Sequence, residues 1–119
     1  MTTTATPLVK ALQSEGKVLI HSFNAIEIVK LDEILYIQAY GCYCKIFLKD
    51  RSPITSSRPF GEIYRMLSPF QLFQSHKSYA INLTHVIRYR NTGQIILSGN
   101  VEIPLARRRK EEFLSVLVS

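Results

Sequence analysis

From Lys17 onward the sequence is built of short runs rich in β-branched and aromatic residues, each ended by turn-forming residues before it reaches the length of an ordinary helix. The runs fall at 17–22, 25–30, 34–40, 43–49, 53–56, 72–75, 79–82, 86–90, 94–98 and 101–103. Phe23-Asn24, Gly41-Cys42, Asn91-Thr92-Gly93 and Gly99-Asn100 supply turn chemistry at hairpin spacing. Many short strands with such closely spaced turns favour an antiparallel sandwich over a βαβ fold. The expected fold class is therefore mainly β, with about ten short strands.

Two segments break the two-residue period. Within 57–68, Phe60, Ile63, Tyr64 and Leu67 fall at i, i+3, i+4 and i+7, which is one apolar face of a helix. Ser57 is placed to cap it, with Pro59 in the first turn and Pro69 just beyond the end. Within 107–118, Phe113, Leu114 and Leu117 form a shorter stripe for a C-terminal helix. Its first turn would hold Arg107, Arg108 and Arg109, where the helix dipole disfavours cations. Something other than helix stability put them there. Residues 1–16 are Thr-rich, carry Pro7 and close on Gly16. They are expected to form a flexible arm with one short helical turn around residues 8–12, leaving 17–119 as the folded domain.

The chain has 119 residues, room for a single domain with one modest core. Its net charge of +6 is unevenly spread: residues 1–50 carry five basic and five acidic side chains, residues 51–119 ten and four, a difference of six. That asymmetry points to a polyanionic partner without separating DNA from RNA or anionic lipid. Cys42 and Cys44 would share one face of a strand, too parallel for an easy bridge, and no second cysteine pair completes a zinc set. No segment has the length of a signal-peptide core or a membrane span, so the expected setting is a reduced cytoplasm. No metal site, cofactor or small-molecule ligand is expected.

Three segments carry candidate chemistry. Ser75, His76, Lys77 and Ser78 offer several hydrogen-bond donors within four residues, suited to phosphate oxygens and base edges, or they form a polar hairpin tip with no ligand. Pro104 stops a strand and feeds Arg107, Arg108, Arg109 and Lys110 into a helix start. This is either a solvated charge run or an anion contact, and arginine suits bidentate reading of guanine. Tyr40 and Tyr43 flank the Gly41 turn with Lys45 beside them, and Tyr43 either meets a nucleic-acid groove or caps the core.

Taken in this order, the three segments resemble the LytTR family of DNA-binding domains. The family pattern has an Ile-x-Tyr-Ile-Glu-Ala-x-Gly-Asn-Tyr hairpin, matched here at Ile34, Tyr36, Ile37, Ala39, Gly41 and Tyr43. A helix ending in Leu-Pro precedes Phe-x-Arg-x-His-Arg-Ser-Tyr-x-Val-Asn, matched at His76, Ser78, Tyr79 and Asn82. Ile-Pro-Val-Ser-Arg-Arg then leads to a last helix, matched at Ile103, Pro104, Arg107 and Arg108. The resemblance runs from about Lys17 to Leu117.

The resemblance implies an elongated stack of antiparallel β-sheets with little helix, docking loops into successive major grooves. It implies double-stranded DNA as partner, on direct repeats, with a homodimer assembled there, and a bacterial transcription regulator. By position, Tyr43, Lys77 and Arg107 would face the grooves, while His76, Ser78 and Arg108 support the backbone. Cys42 stands where the family has Asn, Gln38 where it has Glu and Ala106 where it has Ser. Leu72, Gln74 and Lys77 replace Phe and two arginines. The operator sequence therefore does not carry over. The chain reads either as a stand-alone regulator or as the output domain of a response regulator.

Catalysis is not expected: His21, His76 and His85 are scattered, and no carboxylate cluster, phosphate-cradling Gly-rich loop or nucleophile elbow appears. A cyclic-dinucleotide or RNA-binding module would want an Asp-x-Ser-x-x-Gly partner or aromatic RNP strands, and neither is present. A nucleotide- or protein-binding β-module of a signalling pathway is the remaining alternative.

Overall fold

The computed structural model describes residues 15–118. Most of the expected arm, including the helical turn at 8–12, lies outside them. Ten strands stand where ten were expected: β1 (Lys17–His21), β2 (Ile26–Lys30), β3 (Ile34–Tyr40), β4 (Tyr43–Leu48), β5 (Arg51–Ser56), β6 (Leu72–His76), β7 (Tyr79–Asn82), β8 (Val86–Arg90), β9 (Gln94–Leu97) and β10 (Val101–Pro104). Among the described residues the α-helices are α1 (Phe60–Leu67) and α2 (Lys110–Val118). All strand pairs are antiparallel, in a β1-β2 hairpin, a central sheet ordered β5-β4-β3-β7-β6 and a third sheet ordered β10-β9-β8.

The central sheet carries a core on each face: β3, β6 and β7 send apolar side chains to both, while β4 and β5 bury only the face toward the first hairpin. Ile37, Cys44, Ile46 and Ala80 face the first hairpin and α1, closing on Val18, Ile20, Val29, Ile63 and Leu67. Leu35, Phe73 and Ile81 face the third sheet and α2, closing on Ile95, Leu97, Ile103 and Phe113. A bulge between Ile34 and Tyr36 lets neighbours Leu35 and Tyr36 both serve the second core. Two cores in series make the molecule long, 51 × 31 × 26 Å. The chain thus has two modest cores, where its length suggested one.

Buried Asn82 ties the layers. Its side-chain amide donates to the carbonyls of Leu31 (3.3 Å) and Ile34 (2.8 Å), and its oxygen accepts from the Thr84 amide and hydroxyl. A buried amide so fully paired is structural.

Three local expectations are corrected. Pro59, not Ser57, occupies the N-cap of α1, and Ser57 Oγ donates to the His21 carbonyl instead. In the C-terminal stripe only Phe113 is buried, whereas Leu114 and Leu117 are exposed. Arg107–Arg109 form a 3-10 turn ahead of α2, whose own first turn carries Glu111 and Glu112. The helix dipole is thus met by acids.

Candidate nucleic-acid interface

Strand pairing gathers the three candidate segments at one end of the central sheet. β3 runs toward its turn at Gly41-Cys42, and β7 leaves the Lys77-Ser78 turn beside it, with Gln38 opposite Tyr79. The Ala39 amide donates to the Ser78 carbonyl at 2.8 Å, closing the gap between the two turns. The third segment is fastened to the second by the Ala106 amide, which donates to the Ser75 carbonyl at 2.8 Å. Gly41 has φ +60° and is the first of two turn residues between paired Tyr40 and Tyr43, the backbone a tight hairpin of type II′ requires.

At the first turn Tyr43 is exposed, which removes the core-capping alternative. Its ring is met edge-on by Phe23 of the β1-β2 loop, with centroids 4.9 Å apart, and Phe23 is itself 63% exposed. That loop is held to the same end, since the Ser57 amide donates to the His21 carbonyl and Ser22 bridges Ser56. Lys45 is half-buried, with Nζ 4.5 Å above the Tyr40 ring.

At the second turn the Ser78 amide donates to His76 Nδ1 at 3.2 Å. An accepting Nδ1 puts the neutral ring's proton on Nε2, free to donate outward. Lys77 is exposed and Ser78 half-buried. His76, Lys77, Ala106, Arg107 and Arg108 together line an open cleft of about 350 Å³. The second and third segments therefore form one concave basic surface, and Tyr43 and Lys45 stand at the neighbouring turn outside it.

The acids are largely occupied elsewhere. Glu27 and Glu33 hold Arg51, Glu62 holds Arg58, Glu102 holds Arg90 and Glu112 holds Arg109. Among the described residues, Lys77, Arg107, Arg108 and Lys110 form no ion pair, so their charge is available to a polyanion.

Two members of the expected donor set turn inward. Ser75 is fully buried and its Oγ has no hydrogen-bond partner among the described residues, so it presents nothing to a surface ligand. Arg109, expected to face phosphate or solvent, donates from Nε to the Gln74 carbonyl at 2.7 Å. Its guanidinium lies 4.9 Å over the Phe73 ring. Cys42 and Cys44 do not share a face: Cys42 is exposed in the turn and Cys44 is buried, because the tight turn interrupts the strand period. Burial pushes the Cys44 thiol up to about 12, far from nucleophile or metal-ligand behaviour at neutral pH. Among the described residues no three His, Cys, Asp or Glu side chains converge as a metal site, and no helix is long and apolar enough to cross a membrane.

Sequence reasoning treated Phe23 only as turn punctuation, and no local pattern announces its contact with Tyr43, because the two lie in separate hairpins.

A sequence profile described as the LytTr DNA-binding domain matches residues 24–117. Among solved structures, the chain is similar to the LytTr DNA-binding domain of a methyl-accepting/DNA response regulator from Bacillus cereus. The TM-score is 0.72 at 13% identity, covering 86% of this chain and 96% of that one. No curated protein matches the chain.

Proposed function

The chain belongs to the LytTR family of DNA-binding domains, which is not an enzyme family, and we propose that it reads duplex DNA by sequence through the loops gathered at one end of its central sheet. One observation carries this reading: the family-matched second and third segments share a basic cleft whose cations have no acidic partners among the described residues.

The loops enter the major groove. Arg107 and Lys77 meet base edges, the guanidinium suiting guanine O6 and N7. Tyr43, with Phe23 against it, makes an apolar contact beside them. Arg108, His76 through Nε2, Ser78 and Lys45 position the protein on phosphates, fixing register without reading sequence. Two copies on direct repeats would dock side by side, each contributing one such end, and the output is control of transcription in a bacterial cytoplasm.

The test is competition over a randomised duplex pool, wild type against single variants. Arg107→Ala and Lys77→Ala should each weaken the preferred site by about 1–3 kcal/mol and flatten discrimination at different base positions. Arg108→Ala should weaken all duplexes alike. Equal losses with an unchanged selected sequence would leave these loops as positioning elements only.

A further inference from the structure

Arg109 is the one member of the arginine run that is committed inside the protein. Its side chain is 29% exposed, whereas Arg107 and Arg108 point outward. The guanidinium is held at three points. Nε donates to the Gln74 carbonyl at 2.7 Å, Nη1 pairs with Glu112 at 3.2 Å, and the flat face rests 4.9 Å from the centre of the Phe73 ring. Gln74 and Phe73 belong to β6, which leads directly into the Lys77 turn; Arg109 and Glu112 belong to the segment that carries Arg107. Backbone pairing between the two segments is sparse here: the Ala106 amide to the Ser75 carbonyl. Gln74 contributes its carbonyl from β6, the edge strand of the central sheet, just before the register shifts between Gln74 and His76.

We propose that Arg109 is a positioning residue that clamps the third loop onto the second, so that Arg107 and Lys77 address DNA as one rigid unit. The proposal rests on the reading of those two side chains as base contacts. Two base-reading groups on separate loops deliver discrimination only if their spacing is fixed before binding; otherwise a mismatch at one is relieved by moving the other. Arg109 supplies that spacing with a planar fork whose geometry a lysine cannot copy. Because all three of its attachments are internal, it takes no part in neutralising phosphate.

Selection from a randomised duplex pool and salt-titrated affinity, measured on the full chain, separate this from a phosphate contact. Arg109→Met keeps apolar cover over Phe73 and removes the fork. It should weaken the preferred site about tenfold, the equivalent of one lost charge-assisted hydrogen bond. Discrimination should flatten at both the Arg107 and the Lys77 positions, while the log–log salt slope stays at the wild-type value. Arg109→Lys keeps the charge and should fail to restore discrimination. Glu112→Ala removes one attachment and leaves the core contacts in place, which guards against a Met variant that does not fold. It should narrow discrimination by less, while general duplex affinity rises with the lost negative charge. A slope lowered by about one unit with unchanged selection would make Arg109 a phosphate contact and overturn the proposal. So would full selectivity in Arg109→Lys, or in Glu112→Ala where Arg109→Met does not fold. A wild-type protein that selects no sequence would overturn the base-reading assignment and this proposal with it. A selective wild type with equally selective Arg109 variants overturns this proposal alone.

Discussion

Cys42 and Cys44 are separated by one residue, yet only Cys42 reaches solvent. Burial, slightly opposed by a hydrogen bond from the Gln38 backbone, raises the Cys44 thiol from 9.0 to about 12. At neutral pH a thiol reagent should therefore modify one cysteine in the native protein and two after unfolding, read by intact mass. Rapid native labelling of both would contradict the burial. The same shift has a sign. Between pH 9 and 12 the unfolded chain has released a proton that the native chain retains, so the Cys44 contribution is fully present below pH 9. It is lost as pH rises toward 12. Tyr36, raised by burial and then by Tyr79, acts in the same direction. Residue identities marked candidates for DNA contact; they did not show which of three consecutive arginines would turn inward. That choice depends on a carbonyl of the edge strand β6 and on a ring from the same strand, neither of which has a local signature around residue 109.

The turns and strands were largely legible, because a period of two bounded by Gly and Asn is a strong local signal. The β4-β5 turn was not. It places Asp50 at φ +61° with no glycine nearby, and β5 consequently starts earlier than its apolar run, at Arg51. The cap of α1 was hidden for a tertiary reason, since Ser57 is drawn off by the β1 carbonyl at His21. In α2 the stripe misled because only Phe113 finds a core, between Phe73 and Tyr89. Two substitutions separate turn strain from packing. Gly41→Ala meets no atom within 4 Å of the new Cβ, so its cost is backbone strain alone, about 1–2 kcal/mol. Leu67→Ala opens a cavity under α1 in the first core and should cost roughly 2–5 kcal/mol. Denaturant unfolding of both variants checks the order. An unchanged midpoint for Leu67→Ala would contradict the placement of α1.

At the scale of the whole molecule, a central sheet held between two cores brings every candidate segment to one end. The C-terminal charge excess, visible in the sequence, becomes a surface there because most of the acids are engaged with other basic side chains. The convergence itself was legible only through the family pattern, since nothing local at residue 77 announces residue 107. Duplex affinity measured across a series of salt concentrations tests the central claim most directly, because counterion release reports how many phosphates the protein neutralises. About five phosphates, neutralised by the basic residues around these loops, give a log–log slope near −4 to −5. An affinity that does not change between low and moderate salt would contradict DNA binding through this surface.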